Sequence, residues 1–361
     1  MSMRAAGEIA ICLDAGPRVG MGHLTRCAAV ARALLARGAR VRLIARCSQG
    51  ASLRHAAGVG ARLQLLPAQA PLSAFARALE VDRGADSVLL DLAHNDTPGF
   101  RPAVAALARR LQASTSNLAL FDTFGDSALR ELIIWRASDL LIAPYVGETP
   151  RGAARHRRLL GTRYFVLGPA FIGRKRRIRA HASRVLVTCG GADPTRMTLL
   201  VLRALDRLER PLRVQVTIGP FFSAGLRRET EAAARHSRHR IDLLQSPSDL
   251  APHMRWCDIA VGASGLTKYE FAATGTPSIL LSIDHVHARV NSQFARAGTS
   301  IDLGVASRVS EKALGAAVER LLADPVRRRR LARRGQALVD GDGARRVAAQ
   351  VLRARSKEVR A

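Results

Sequence analysis

Short apolar runs alternate with longer amphipathic stretches along almost the whole chain, and no other feature limits the fold as strongly. Short apolar runs predict buried strands, and apolar residues three or four positions apart predict helices. In the stretch 23–37, Val30, Leu34 and Leu35 recur at helical spacing, and Gly38 follows as a helix stop. Strands that alternate with helices form parallel sheets with helices on both faces. The sequence therefore predicts an α/β protein with doubly wound parallel sheets.

The alternation is interrupted once, which predicts two domains in series. The first series of predicted strands comprises Glu8–Leu13, Arg40–Ala45, Arg62–Leu66, Ser87–Asp91, Asn117–Phe121, Leu140–Ala143 and Tyr164–Leu167. The second comprises Arg184–Thr188, Arg213–Ile218, Ile241–Leu244, Ile259–Gly262, Ser278–Ser282 and Thr299–Leu303, and helical stretches follow at Ser310–Ala323, Pro325–Val339 and Gly343–Lys357. The intervening residues are basic and lack periodic apolar positions. We therefore expect a domain at 1–168, a linker at 169–183 and a domain at 184–361, which suits a length of 361 residues.

The composition argues against several classes of protein. No run approaches the ~20 apolar residues that span a bilayer, and the N-terminus lacks the pattern of a signal peptide. We therefore expect a cytoplasmic protein. The five cysteines include no C-x-x-C pair, which argues against a disulfide framework or a zinc site. We expect them to be buried apolar side chains.

The net charge of +28 suits nucleic acid, an anionic substrate or the anionic inner face of a membrane. Only four of the 57 basic residues are lysines, and the arginines are spread over many predicted helices. Aromatic residues make up 4%, which leaves few side chains to stack on bases. We therefore expect no nucleic-acid partner, while a position at the inner membrane face stays open.

Ligands of open α/β sheets bind beyond the carboxyl ends of the strands, so the loops after the strands are where binding residues are expected. The first such loop contains Gly20, Gly22, His23 and Arg26 and opens a helix. Glycines let the backbone approach a ligand closely, and a helix N-terminus attracts anions. A helix N-terminus also favours neutral histidine, which suits a general base. His23 is a candidate base, and a helix cap is the alternative.

A second loop follows the first strand of the second domain and carries Gly190 and Gly191. The paired glycines allow a diphosphate or a sugar to come close to the backbone. Asp193 is expected to cap the next helix, with Pro194 as its first residue. A plain strand-to-helix turn is the alternative interpretation.

A third loop joins another strand to a helix and contains Ser264, Gly265, Leu266 and Thr267. Its N–H groups and the two hydroxyls suit a phosphate. Glu270 lies about one helical turn further on, where a carboxylate can accept both hydroxyls of a ribose. A helix carboxylate that only faces solvent is the alternative.

A fourth loop includes Asp284, His285 and His287 and leads to Asn291 and Gln293. A metal site needs three converging ligands, and we expect none here. We expect instead that Asn291 or Gln293 makes polar contacts to a sugar. In the first domain, Asp91 and Asp122 end strands, where they would position a substrate or cap a helix.

These motifs occur together and in a fixed order: Gly20–Arg26 (G-x-G-H-x-x-R), Asp122–Asp126 (DTFGD), Gly190–Pro194 (GGADP), Gly262–Glu270 (GASGLTKYE) and Ala273–Asn291. Over residues 8–305 the chain resembles the PseG/SpsG family, which is related to the MurG glycosyltransferase. The best-known activity in that family is hydrolysis of a UDP-linked 2,4-diacetamido-2,4,6-trideoxy sugar. The resemblance implies the GT-B fold, with two Rossmann-like doubly wound parallel-sheet domains facing a cleft.

The resemblance also implies roles for particular residues. His23 would match the catalytic histidine that activates water at the anomeric carbon, and we expect Asp91 to take part in catalysis. The loop 262–267 would hold the diphosphate, Glu270 the ribose, and the region 245–249 would border the base. No metal and no cofactor are expected, because loop N–H groups would stabilise the leaving diphosphate.

Two positions on the sugar side depart from the hydrolase pattern: Ala93 stands where a tyrosine is usual, and Asp122-Thr123 replaces an acidic pair. We expect hydrolysis of the anomeric C–O bond of a UDP-linked amino or deoxy sugar, with His23 as the base. The alternative is transfer of that sugar to an acceptor in surface polysaccharide or glycoconjugate biosynthesis. A nucleotide-binding or nucleic-acid-binding protein without turnover is the third interpretation, and the presence of His23 together with the donor loops argues against it.

Overall fold

The chain divides into two compact units. The computed structural model describes residues 8–16, 19, 22–47, 59–81, 85–92, 100–122, 138–147, 157–173, 176–247, 249–263 and 265–358. The first unit comprises Met1–Pro169 with Asp342–Ala361, and the second comprises Ala170–Gly341. Each unit is built on its own sheet.

A seven-stranded sheet forms the centre of the first unit. Its strands are β1 (Glu8–Ala15), β2 (Arg40–Cys47), β3 (Arg62–Pro67), β4 (Ser87–Asp91), β5 (Asn117–Phe121), β6 (Leu140–Ala143) and β7 (Arg157–Leu160). They lie in the order β3-β2-β1-β4-β5-β6-β7, and each neighbouring pair is parallel. The described helices of this unit are α1 (Gly22–Leu35), α2 (Ser73–Val81), α3 (Phe100–Ser114) and, from the end of the chain, α11 (Gly343–Glu358).

A six-stranded sheet forms the centre of the second unit. Its strands are β8 (Arg184–Thr188), β9 (Arg213–Ile218), β10 (Arg240–Gln245), β11 (Ile259–Gly262), β12 (Ser278–Ser282) and β13 (Ile301–Val305). They lie in the order β10-β9-β8-β11-β12-β13, again with parallel neighbours. The helices are α4 (Met197–Asp206), α5 (Ala224–His236), α6 (Ala251–Trp256), α7 (Thr267–Thr274), α8 (His285–Arg296), α9 (Glu311–Ala323) and α10 (Pro325–Leu338).

The central strands are buried along their whole length, as expected for parallel sheets covered on both faces. Each residue of β4, β5 and β12 is buried. Helices pack apolar side chains against the sheets; in α4, for example, Val201 and Leu205 lie in the same core as Val187 of β8. The predicted fold class of two doubly wound parallel sheets is confirmed.

The last helix was expected to belong to the second domain, and this expectation is wrong. Ala344, Val347 and Ala348 of α11 form an apolar stripe in the core of the first unit. Val351, one turn further, is also buried there, and its backbone oxygen accepts a hydrogen bond from the side-chain amide of Asn117 at 3.5 Å. Helical periodicity predicts that this segment is a helix, but it carries no information about which sheet the helix covers.

The predicted linker packs onto the second unit instead of connecting two domains freely. Arg176 donates to the backbone oxygen of Met254 at 2.6 Å. The fully buried Arg328 of α10 donates to the backbone oxygens of Arg179 and Ala180 at 2.9 and 3.0 Å. Arginines of this basic segment, such as Arg176 and Arg179, therefore help to attach it to the second unit.

The seventh strand of the first unit is also placed differently from the prediction. Arg157–Leu160 pairs with β6, whereas Tyr164 lies in a short 3-10 turn and Phe165–Leu167 is buried without being in a strand. Gly161, with φ at +84°, turns the chain after β7. An edge strand tolerates charged side chains, so the two arginines of β7 concealed it in the sequence.

Each sheet has a point at which the order of its strands reverses, between β1 and β4 in the first unit and between β8 and β11 in the second. Doubly wound sheets bind ligands outside the carboxyl ends of the strands at such a point. Asp14 and Asp91 lie near these ends in the first unit, and Thr188 and Gly262 lie there in the second. These four positions locate the candidate site within each unit.

Candidate active site

In the first unit, His23 and Asp91 meet although 68 positions separate them in the sequence. Gly22 is the first residue of α1 and His23 the second, while Gly20 lies outside the described residues. The Nδ1 atom of His23 lies 2.8 Å from Oδ1 of Asp91. The imidazole is 7% exposed and the carboxylate 0%, so the hydrogen bond is shielded from water.

Asp91 is the centre of this cluster. Its Oδ2 accepts hydrogen bonds from Nε of Arg26 at 2.8 Å and from the thiol of Cys27 at 3.3 Å, and its Oδ1 accepts from Nη2 of Arg26 at 2.5 Å. Burial raises the pKa of Asp91, but the charges of Arg26 and His23 and their hydrogen bonds hold that pKa well below its usual range. Asp91 is therefore a carboxylate at neutral pH.

This carboxylate determines which nitrogen of His23 carries a proton. A carboxylate only accepts hydrogen bonds, so Nδ1 must donate to it. The Nε2 atom then has the free lone pair and is the basic nitrogen. A histidine oriented by a buried carboxylate in this way is suited to remove a proton from a hydroxyl or from water.

Arg26 was predicted to contact the ligand, but its guanidinium is used within the cluster. The side chain is 3% exposed and binds Asp91 through two nitrogens. It also lies 4.6 Å from the centre of the Phe121 ring, and its Nη1 donates to the Tyr145 hydroxyl at 3.4 Å. These contacts give Arg26 a role beside the candidate base and leave its predicted contact with the nucleotide unsupported.

In the second unit, the loop with Gly190 and Gly191 follows β8. Gly190 has φ at +89°, which favours glycine, and the backbone of Gly191 lies close to Gly219. A Cβ atom at Gly219 would lie 2.2 Å from the oxygen of Gly191, so this packing requires glycine there. The positive φ of Gly190 therefore gives that glycine a structural reason, and both predicted glycines follow the carboxyl end of a central strand.

Asp193 caps a helix, though not the one that starts at Pro194 as predicted. The helix α4 begins at Met197. The two carboxylate oxygens of Asp193 accept hydrogen bonds from the N–H groups of Met197 and Thr198, each at 2.8 Å. The expected start of the helix was three residues too early because the chain makes an additional turn first, with Asp193 and Arg196 at positive φ.

The third predicted loop leads from β11 into α7. Gly262 ends the strand, and a Cβ atom there would lie 2.7 Å from the Phe271 ring. Gly265 is exposed with open space where a side chain would be, and Ser264 lies outside the described residues. Leu266, at the N-cap of α7, makes no capping side-chain hydrogen bond. The first N–H groups of α7, starting with that of Thr267, are thus oriented toward this loop, as an anion site requires.

Glu270 lies in the first turn of α7 and is half-buried. Burial, with a further contribution from the charge of Asp249, raises its pKa from 4.5 to about 7. Lys268, two residues earlier, is buried, and burial lowers its pKa from 10.5 to about 7 while Asp302 opposes the change. A half-buried carboxylate at the ligand-binding end of a sheet is typical of a functional position.

The fourth predicted loop is less favourable for ligand binding. Asn291 is fully buried, and its amide donates to Ser282 Oγ at 2.8 Å, which attaches α8 to β12. Its predicted contact with a sugar is therefore unsupported, while Gln293 is partly exposed. Asp284 caps α8 by accepting from the N–H of His287 at 2.8 Å. Among the described residues, no group of three or more His, Cys, Asp or Glu side chains is placed to hold a metal ion.

Tyr145 and Lys268 contribute to these clusters without a predicted role, whereas Asp249 belongs to the region 245–249 that is expected to border the base. Tyr145 follows β6 and Lys268 lies in the loop-to-helix segment after β11, so the position of each after a predicted strand is the signal that could have found it. No helix in the described part of the chain combines the length and apolarity needed to cross a membrane.

No protein-family model matches the chain. The spore coat polysaccharide biosynthesis protein SpsG of Bacillus subtilis is 28% identical over 194 residues, which are 52% of this chain and 56% of SpsG. The UDP-N-acetylglucosamine–N-acetylmuramyl-(pentapeptide) pyrophosphoryl-undecaprenol N-acetylglucosamine transferase of Alkalilimnicola ehrlichii is 32% identical over 173 residues, which are 46% of this chain and 47% of the enzyme. The chain thus matches about half the length of these curated relatives.

Solved structures extend the similarity over the whole chain. MurG of Acinetobacter baumannii superposes with a TM-score of 0.69 at 15% identity, over 96% of this chain and 99% of MurG. The Staphylococcus aureus MnaA–UDP co-structure superposes with a TM-score of 0.65 at 13% identity, over 96% of both chains. The chain has the GT-B fold and is similar in sequence to SpsG and to the N-acetylglucosamine transferase named above, whereas none of these relatives identifies it as PseG.

Proposed function

We propose that this chain transfers a sugar from a nucleotide diphosphate donor to an acceptor hydroxyl, with His23 as the general base. The hydrogen bond between His23 and Asp91 carries this proposal, because it orients a basic nitrogen at the carboxyl end of the central strands. The expected hydrolysis differs only in the nucleophile, which would be water. The relatives named above favour transfer, since SpsG takes part in polysaccharide biosynthesis and the second relative is a transferase by name.

The second unit supplies the groups for the donor. The N–H groups at the start of α7, together with the open space at Gly265, suit a diphosphate. Glu270 lies within one turn of these groups and suits the ribose hydroxyls. The solved MnaA structure contains UDP, which supports a uridine nucleotide as the first donor to test.

The first unit supplies the base. Nε2 of His23 would take the proton of the acceptor hydroxyl while the sugar leaves the diphosphate. Asp91 would stabilise the imidazolium that forms, because its carboxylate stays charged inside the unit. General-base catalysis of this kind contributes about 10²–10⁴-fold to the rate. The sugar acceptor would lie in the cytoplasm, and one presented at the anionic inner membrane face would suit the net charge of +28.

The test measures UDP release from UDP-N-acetylglucosamine and a panel of related UDP-sugars, with and without candidate acceptors. We expect release to depend on an acceptor. The His23→Gln variant should lower turnover by about 10²–10⁴-fold while its affinity for UDP stays unchanged. His236→Gln is the matched control, since His236 is exposed at the end of α5 and lies in the second unit.

Two results would contradict parts of this proposal. If UDP is released equally fast without an acceptor, the proposed reaction becomes hydrolysis, with His23 still as the proposed base. Full turnover by the His23→Gln variant would remove His23 from the chemistry in either reaction.

A further inference from the structure

Arg26 occupies an unusual place beside the candidate base. Its Nη2 lies 2.5 Å from Oδ1 of Asp91 and 3.5 Å from Nδ1 of His23, so one guanidinium touches both members of the pair. Its Nε holds the second oxygen of Asp91 at 2.8 Å. All three side chains are less than a tenth exposed, so little water screens these charges.

The surroundings fix the guanidinium in this place. The Phe121 ring lies against one face of it, with 4.6 Å to the ring centre. The Tyr145 hydroxyl accepts from Nη1 at 3.4 Å. Arg26 therefore holds its charge in one position, which a flexible surface arginine would not.

Other charged and titratable groups near His23 and Asp91 could also affect their protonation, and the described part of the chain shows which they are. Burial raises the pKa of the Cys27 thiol and the Tyr145 phenol above their usual ranges, so both are neutral at neutral pH. Asp14, at the end of β1, is held by Arg46 of β2 at 2.7 Å. Among the described residues, the titratable and charged groups that contact the pair or act on it are thus Arg26 and Cys27 of α1 and Tyr145 after β6, with Asp122 after β5 acting on Tyr145.

We propose that Arg26 is a positioning residue that keeps the His23–Asp91 pair as neutral imidazole and carboxylate at neutral pH. The inference rests on the proposed function, since it gives the base its working form. A buried carboxylate next to a histidine favours an imidazolium, which is not a base. The fixed charge of Arg26 opposes uptake of that proton by either member of the pair. The base therefore works at a lower pH than the pair alone would allow.

The test compares pH–activity profiles of the wild type, Arg26→Gln and Arg26→Lys. The glutamine removes the charge but retains N–H donors for Asp91, whereas the lysine retains the charge. The low-pH side of the Arg26→Gln profile should move up by about 1–3 pH units, because a charge at this distance shifts a titration by that amount. Arg26→Lys should restore the profile to within about one unit of the wild type.

Arg46→Gln is the matched control. Arg46 also binds a buried carboxylate through two nitrogens, at 2.7 and 3.1 Å, and lies 5.9 Å from the Phe75 ring centre. It is in the same unit but holds Asp14 instead of the His23–Asp91 pair. Its profile should keep the wild-type position, so a general loss of stability cannot imitate the expected shift.

Nitrogen NMR of His23 tests the inference without turnover. In the wild type at pH 7, the ring should be neutral with its proton on Nδ1, and a cationic ring would overturn the proposal whether or not any variant folds. In Arg26→Gln the ring should take up a proton at a pH about 1–3 units higher than in the wild type. If the ring takes up a proton at the same pH in both proteins, the role of Arg26 is refuted and the proposed function is not affected. If the wild type shows no turnover of any UDP-sugar, the proposed function is refuted instead.

Discussion

Replacing Glu270 by glutamine should make the protein more stable and less able to bind the proposed uridine nucleotide. The folded protein raises the pKa of Glu270 from 4.5 to about 7, chiefly through burial and then through the charge of Asp249. The folded state therefore keeps a proton between pH 4.5 and 7 that the unfolded chain has already lost. Stability falls as the pH rises through this range, and the full cost is present above pH 7.

The size of this cost follows from the shift. A rise from 4.5 to about 7 corresponds to about 3 kcal/mol. Glu270 is half-buried, so water screens part of the cost, and about 1–3 kcal/mol is expected. Glutamine has a similar shape and no charge. Glu270→Gln should therefore stabilise the protein by about this amount at pH 8 and by almost nothing at pH 4.

Urea denaturation at pH 4, 6 and 8 measures the effect, with Glu209→Gln as the control because Glu209 is exposed in the same unit. Titration of Lys268 is common to the wild type and the variant and cancels in the difference. The same variant should bind UDP more weakly by about 1–3 kcal/mol if the carboxylate accepts the ribose hydroxyls. A stability difference that does not change with pH would refute the argument from burial.

Three further changes test other parts of the structure. Asp193→Ala should destabilise the protein by about 1–2 kcal/mol in urea, because two N–H groups of α4 lose their acceptor; an unchanged midpoint would show that the cap is dispensable. Arg328→Met should cost about 2–4 kcal/mol, because four backbone oxygens lose a buried donor; equal stability would mean that α10 does not hold the segment before β8. EDTA should leave the proposed sugar transfer unchanged, whereas inhibition that Mg²⁺ reverses would redirect attention to Asp284 and His287.

The sheets could be predicted because buried parallel strands are short apolar runs, and β4, β5 and β12 begin and end where the pattern predicted. The edge strand β7 could not be predicted, because two of its four residues are arginines and the strand lacks an apolar run. Its pairing with β6 is visible only in the folded structure. The apolar run 164–167 is buried, as its composition indicates, but burial alone does not require a strand.

The site could be predicted only one residue at a time. His23 can be singled out at the start of the helix that follows β1, and Asp91 at the end of β4, yet their hydrogen bond depends on β1 and β4 being neighbours. The contacts of Arg26 with Phe121 and Tyr145 come from three separate elements. The sequence places Arg26 near the predicted ligand loop, and only the folded structure shows that its guanidinium forms an ion pair with Asp91.

Nucleotide binding is tested most directly by a thermal-shift measurement with UDP, CDP, GDP, CMP, ADP and short duplex DNA at one salt concentration. A ligand at ~100 times its dissociation constant stabilises the folded protein by roughly 2.7 kcal/mol, which is easily detected. If the second unit binds a UDP-sugar, UDP should produce a selective shift that weakens in Glu270→Gln and persists in His23→Gln. No shift with any nucleotide, together with a salt-sensitive shift from DNA, would contradict this proposal and make the charge of +28 the main clue to function.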